Sequence, residues 1–376
     1  MELLRRGFGV VLLARPRNHL TARARIDRLL DWFGLALGDR EKLSVLEGQL
    51  DEPDLGIERS RYEDVAGSVD EIVHCASSTS FSERKRAEIE KTNVFDLSAV
   101  LDFAARGRCS FFHHVSTAYV AGKRSGACAE ELVDTREFTN PYEETKYRGE
   151  RIVKERCERE GIGLNMYRPS IVYGDSRTGR TLRFDGVYYP VKAVSFFKNV
   201  YEKDIAERGG RRAREMGVEI DAQGRMCLPL RVPAAPFGGI NLIPIDFFLE
   251  AFMAIMEEGA GGQVFHIVNT RLTTIEDLAA WTGRFFDIGG IRTARPEEFA
   301  KTPKNALELL FDRSIEAYDP YMKDTRVFES ARTGEILERR GIACPAFDEK
   351  IFSTCMRYAV EVDWGTRLFN EAKGER

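Results

Sequence analysis

Along the first part of the chain, short runs of consecutive apolar residues alternate with longer stretches in which apolar positions recur every three or four residues. The short runs are Phe8–Ala14, Leu43–Leu50, Ile72–Ala76, Phe111–Val115 and residues 163–168. Each has the length and character of a strand buried on both faces. Between them, residues 20–38, 83–106 and 142–159 carry helical spacing, with Ile89, Val94, Leu97, Val100, Leu101 and Phe103 marking the middle segment. Strands alternating with helices predict an α/β protein built on a parallel sheet.

The pattern changes after Gly174. Residues 175–190 read as a loop and 191–217 as a charged helix. Residues 228–240, with three Pro and two Gly, read as largely irregular. Ile243-Pro244-Ile245-Asp246 leads into an apolar helix, Phe247 to Met256, followed by a strand at Val264 to Val268. Thr273-Thr274-Ile275-Glu276 has the form of a capping box. The remainder reads as mixed helix and loop.

Composition narrows the class. The 376 residues are enough for two domains, or one with insertions. With 43% hydrophobic and 31% charged residues, the chain has the balance of a globular protein rather than a disordered one. A net charge of -4 makes the whole-chain field weak and does not argue for nucleic acid, so none is expected as a partner. No apolar run approaches the ~20 residues of a membrane span, which leaves only peripheral membrane contact open. The start of the chain lacks the apolar core of a secretory signal. Seven cysteines, odd in number and without a C-x-x-C pair, fit a reducing cytoplasm and offer no zinc site.

The chemistry concentrates in Val115-Ser116-Thr117-Ala118-Tyr119-Val120 and in Asn140-Pro141-Tyr142-Glu143-Glu144-Thr145-Lys146. On a helix, Tyr142 and Lys146 lie one turn apart on one face. An ammonium there stabilises a phenolate and lets Tyr act as acid or base near neutral pH. A hydroxyl at the end of the preceding strand, Thr117 or Ser116, would complete the hydrogen bonds to a substrate oxygen. An isolated Tyr-x-x-x-Lys pair is more often a solvated helix pair; here it follows a strand ending in Ser-Thr within an α/β repeat.

These segments resemble the extended short-chain dehydrogenase/reductases, and within them the branch of fatty acyl-CoA reductases, male-sterility proteins and thioester reductase domains. The resemblance is carried by Leu13-Ala14-Arg15, Leu46-Glu47-Gly48-Gln49-Leu50, Val73-His74-Cys75-Ala76-Ser77, the two segments above, Arg168-Pro169-Ser170-Ile171-Val172-Tyr173-Gly174 and Asn241-Leu242-Ile243-Pro244-Ile245-Asp246. It implies a doubly wound Rossmann-type sheet over residues 1–175, with 240–270 returning to it. Residues 176–239 and 271–376 would form a smaller mixed or helical substrate-binding region. It implies a catalytic set in which Thr117 holds the substrate oxygen, Tyr142 donates its proton, and Lys146 binds the nicotinamide ribose and lowers the tyrosine pKa. Arg15, Gln49, Leu50, Ala76, Ser77, Lys146 and Pro169 would line the cofactor. Arg15 stands where a cation meets the 2′-phosphate of NADP, so NADPH is expected, with NAD as the alternative. The expected reaction is reduction of an acyl thioester of coenzyme A or an acyl carrier protein to aldehyde or alcohol.

The departures are as informative as the matches. The family opens with a strand and a Gly-x-x-Gly-x-x-Gly turn that lets a helix N-terminus approach the pyrophosphate. Met1 to Gly7 instead resembles the end of the helix after that turn. The expectation is that roughly twenty residues, including the first strand of the sheet, are missing. Gln49 stands for a usual adenine-contacting Asp, and Asp96 for a usual Gly.

Other features carry blander readings. His113 and His114 point to opposite faces of a strand and cannot chelate one metal. Cys75 reads as a small buried thiol. Tyr188-Tyr189-Pro190 and Phe196-Phe197 suit either an acyl channel or a core. The basic run from Arg208 to Arg214 reads as a solvated face, with coenzyme A phosphates as the other reading. Two further functions stay open. One is a nucleotide-sugar epimerase, dehydratase or hydroxysteroid-type dehydrogenase using the same Thr-Tyr-Lys set; the other is a non-catalytic scaffold.

Overall fold

The computed structural model describes residues 1–36, 38–234, 238–259 and 261–368. Contacts divide the chain into two compact units. The first comprises Met1–Gly122, Glu131–Arg168 and Ile255–Phe265; the second comprises Lys123–Glu130, Pro169–Ala254 and the residues from His266 onward. Residues 123–130, 169–175, 240–254 and 266–270, read from the sequence with the first part, group with the second.

In the first unit, β1 (Val10–Ala14) pairs in parallel with β2 (Leu43–Glu47). Separately, β3 (Glu71–His74), β4 (Phe111–Val115) and β5 (Gly163–Pro169) form a parallel sheet, with the strand Gln263–Ile267 beyond β5. Cross-strand neighbours Phe112 and Leu164, and His114 and Met166, share one face. On that face Phe112, Leu164 and Met166 pack with Leu97, Val100 and Leu101 of α3 (Asp96–Arg106) and Val153 and Cys157 of α4 (Pro141–Glu160).

The β1–β2 pair shares a core with β3. Leu13, Leu46 and Ile72 all pack around Leu55, Phe103 and the residues Tyr62, Val65 and Ala66 of α2 (Arg59–Ala66). Its other face is covered by Leu4, Ile26, Leu30 and Leu35, the middle two from α1 (Ala22–Trp32). Thr21 caps α1, and the Glu47 carboxylate accepts the Ala22 N–H at 2.7 Å, so an acid meets the positive end of the helix.

The segment expected as one helix over 83–106 is broken. A turn at Arg86–Glu90 passes through a π-helical stretch, Lys91–Phe95, before α3 begins. Such bulges turn side chains out of the helical register, and here the displaced side chain is Asn93.

The second unit centres on β6 (Met226–Pro233), which pairs in parallel with β7 (Ile288–Ala294) and, over two residues, antiparallel with Glu219–Ile220. The irregular stretch expected from residue 228 is corrected as far as Pro233: those residues form a strand with alternating burial. Proline is tolerated because the neighbouring strand reaches only to Met226 and Cys227, leaving Pro229 on an open edge. The buried residues of β6 pack with α5 (Tyr188–Arg208), α6 (Ile275–Phe286) and α7 (Ala306–Ile315). The helix expected over 191–217 stops at Arg208, because Gly209 and Gly210 both take φ of 69°. No helix among the described residues is long and apolar enough to cross a membrane.

Candidate active site

Helix α4 is fixed at both ends by its sequence. Asn140 caps it, its side-chain oxygen accepting the Glu143 N–H at 3.1 Å; Pro141 occupies the first turn, and Gly161 ends it in the left-handed conformation. Gly149 lets the helix approach the π-helical stretch: a Cβ there would stand 3.4 Å from the Asn93 carbonyl and 3.5 Å from Leu97. This packing drives the Lys146 side chain to the end of β4, where its ammonium donates to the Val115 carbonyl at 2.7 Å. Lys146 is 4% exposed, whereas Tyr142, one turn earlier, is half-buried with its ring 5.8 Å from that of Phe81.

The candidates of the first unit gather at the carboxyl ends of its strands, where α/β sheets bind ligands. Thr117 and Ser116 follow β4 and are buried. The Thr117 hydroxyl oxygen caps a short turn by accepting the Tyr119 N–H at 3.4 Å. The Ser116 hydroxyl has no hydrogen-bond partner among the described residues. Ala76 is exposed and Ser77 half-buried just past β3. Arg15 and Gln49 follow β1 and β2, where the Gly48 N–H reaches the Ala14 carbonyl at 3.1 Å. Arg15 is exposed and lies near Asp51. The Gln49 side-chain amide donates to Glu52 at 2.6 Å. Leu50 turns into the core against Ile72 and its neighbours. Pro169 ends β5 and begins the second unit.

Asn93 escaped the sequence reading. It accepts from the Ser77 hydroxyl at 3.0 Å and the Ser78 N–H at 2.7 Å, and donates to the Ser78 carbonyl and the Thr145 hydroxyl, both at 3.0 Å. It therefore ties the chain after β3 to the residue preceding Lys146. The available signal was a lone amide inside an apolar helical stripe, a position tolerable only if its hydrogen bonds are met. Asp96 has its charge matched by Lys91 at 3.1 Å, and Lys91 also reaches Asp51 at 2.9 Å.

The electrostatics follow from burial. Desolvation lowers the Lys146 pKa to about 8, opposed by the nearby Glu150 carboxylate. Glu150 itself holds Arg168 through two hydrogen bonds of 2.8 and 2.6 Å. Beneath the site, His74 and His114 stack with ring centroids 5.4 Å apart and Nδ1 atoms 3.4 Å apart. Burial, reinforced by the Lys146 charge, pushes His74 down to about 3 and His114 well below its ordinary value. Both rings are neutral at neutral pH, so Lys146 is the cation of this cluster. His113 faces the other side, between Tyr167 at 2.7 Å and Glu71 at 2.9 Å. Among the described residues no cluster of His, Cys, Asp or Glu is arranged to hold a metal.

Other expectations resolve plainly. Cys75 is solvent-exposed, not buried, because the chain leaves the sheet after His74. Tyr188 and Phe197 are core residues, whereas Tyr189 and Phe196 are exposed. Arg208, Arg211, Arg212 and Arg214 are exposed, with Arg211 paired to Glu215 at 2.9 Å.

The donor set fits the nicotinamide-ribose end of a dinucleotide: a buried cation, a half-buried phenol and an unspent Ser116 hydroxyl converge on the ends of β3 and β4. The described residues contain no Gly-x-x-Gly-x-x-Gly turn for the phosphates.

The profile of the male sterility protein family matches residues 1–251. A linear gramicidin synthase polypeptide of Brevibacillus parabrevis is 24% identical over 93% of this chain, and a carboxylic acid reductase of Segniliparus rugosus is 25% identical over 76%. The chain spans 6% and 25% of the lengths of these two proteins. Among solved structures, the terminal R domain from the myxalamid PKS-NRPS pathway superposes with a TM-score of 0.73 at 20% identity, covering 96% of this chain and 87% of that one. With a Rossmann-type parallel sheet and a Tyr-Lys helix beside it, the chain belongs to the male sterility protein family.

Proposed function

We propose that this protein reduces acyl thioesters, carried by coenzyme A or an acyl carrier protein, with NADPH as hydride donor, in the cytoplasm. The observation that carries the reading is the placement of Lys146, a buried ammonium at the end of β4, one helical turn from the phenol of Tyr142. A bound nicotinamide dinucleotide supplies the hydride. Lys146 and the chain around Ser77 would hold its ribose end, and Arg15 its 2′-phosphate.

Thr117 and Tyr142 would orient the thioester carbonyl. As hydride reaches the carbonyl carbon, negative charge gathers on its oxygen, and the Tyr142 hydroxyl transfers its proton there. The Lys146 charge stabilises the resulting phenolate. The hemithioacetal then loses its thiol and leaves an aldehyde; a second hydride transfer at the same residues would give the alcohol.

The supporting sequence relatives are a gramicidin synthase and a carboxylic acid reductase, and the fold is that of the terminal R domain. The test is to supply NADPH and a series of acyl-CoA and acyl-carrier thioesters and to follow thiol release and NADPH oxidation together. One NADPH oxidised per thiol released supports reduction to the aldehyde, and two per thiol supports reduction to the alcohol. NADPH binding without thiol release from any thioester refutes it.

A further inference from the structure

Three buried side-chain atoms at the ends of β3 and β4 have no hydrogen-bond partner among the described residues: His74 Nε2, His114 Nε2 and Ser116 Oγ. Such atoms are rare in protein interiors, and several of them meeting where there is room mark a site for bound water. His74 and His114 are direct cross-strand partners. Ser116 lies two residues beyond His114 on the same side of the strand, its N–H continuing the ladder to the Tyr167 carbonyl at 2.7 Å. Lys146 of α4 reaches the same place. Its ammonium donates to the Val115 carbonyl and its charge acts on both rings, while its other two N–H groups have no partner among the described residues. Gly149 follows three residues later on the same helix face and leaves space: a Cβ there would stand 3.9 Å from His114 Nε2.

We propose that His114 is a positioning residue for Lys146: a water buried beside Gly149 accepts a hydrogen bond from the ammonium and donates one to Nε2 of His114, its second hydrogen going to Ser116 Oγ. The role rests on the reductase reading only for its catalytic consequence, an ammonium kept charged near Tyr142. An ammonium only donates, so this order fixes the imidazole protons. Nε2 of His114 is bare and its proton sits on Nδ1, which faces Nδ1 of His74 at 3.4 Å and donates to it. His74 then carries its proton on Nε2. The opposite order would aim a second donor at the water that already serves the ammonium. The other groups that act on the Lys146 charge are Cys75 after β3 and Glu150 on α4, and none of the substitutions below alters them.

The experiment uses the full chain without cofactor. Nitrogen correlation spectra of the protein with isotope-labelled histidine read the tautomers at neutral pH, and they place the proton on Nδ1 of His114 and on Nε2 of His74. Urea midpoints measured against pH read Lys146, because stability rises with pH from about 8 as the ammonium titrates. His114→Leu removes the acceptor and Gly149→Ala fills the space. Each moves the lower edge of that rise down by about one pH unit, the worth of a hydrogen bond to a charged group. His114→Gln keeps an acceptor of similar reach and leaves the edge in place. Alanine for glycine also strengthens α4, which shifts the midpoints at every pH without moving the edge.

A proton on Nε2 of His114 in the unsubstituted protein overturns the proposal, whether or not the variants fold. So does an edge left in place by His114→Leu or Gly149→Ala, shown folded by cooperative unfolding, or one moved equally by His114→Gln. The expected tautomers and edge shifts combined with no thiol release in the reductase assay keep the water site and remove the reductase reading. Thiol release with the proton on Nε2 of His114 does the reverse.

Discussion

Glu150→Gln tests whether the site rests on a buried ion pair. Arg168 and Glu150 have side-chain exposures of 0% and 2%, and the pair is bidentate at 2.8 and 2.6 Å. The remaining Arg168 amino group reaches the Glu131 carbonyl at 2.8 Å. Removing the carboxylate leaves a guanidinium desolvated and facing an amide that donates as readily as it accepts. Breaking a buried pair in this way costs about 3–5 kcal/mol, against about 0–1 for an exposed pair. For a unit of this size that corresponds to a Tm roughly 6–20 °C lower. Urea unfolding followed by circular dichroism measures it. The same substitution removes the charge that helps keep Lys146 protonated, so the alkaline limb of the rate profile moves to lower pH. A loss below about 1 kcal/mol together with an unmoved alkaline limb would show that the carboxylate neither anchors Arg168 nor acts on Lys146.

Lys146 sets a pH dependence of its own: with a folded pKa of about 8 against an ordinary 10.5, the unfolded chain binds more protons between those values. Stability therefore rises with pH across that window, on the order of 3 kcal/mol in full, and Lys146→Met abolishes the rise when urea midpoints are compared across it. Activity runs the other way, kcat/KM falling above pH of about 8 as the ammonium is lost. Tyr142→Phe lowers kcat by about 10²–10⁴ and Thr117→Ala by about 10²–10³, with cofactor affinity, measured by fluorescence titration, changed little by either. Asn93→Ala leaves the Ser78 N–H without its acceptor, costs about 1–3 kcal/mol in urea unfolding, and raises the KM for the dinucleotide more than it lowers kcat.

The strands and helices of the first unit were legible because doubly covered strands and amphipathic helices write their burial directly into the sequence. Tyr142 and Lys146 were legible for a related reason: a cap at Asn140, a proline after it and a four-residue spacing fix a helix and one of its faces. Asn93 was not, because a π-helical stretch breaks the period by which its segment reads as one helix. The strand at β6 was hidden by two prolines, which are disruptive inside a sheet and harmless where the adjoining strand is short.

The sequence by itself determined the fold class, the helix that carries Tyr142 and Lys146, and the chemistry that a phenol and an ammonium one turn apart can perform. It did so through local rules: periodicity, capping and side-chain spacing. Only the tertiary structure decided that Lys146 is buried against Val115, that Glu150 is committed to Arg168, and that Leu50 faces the core. Those outcomes depend on contacts between residues distant in the chain, and burial of this kind is created by packing rather than carried by any one segment.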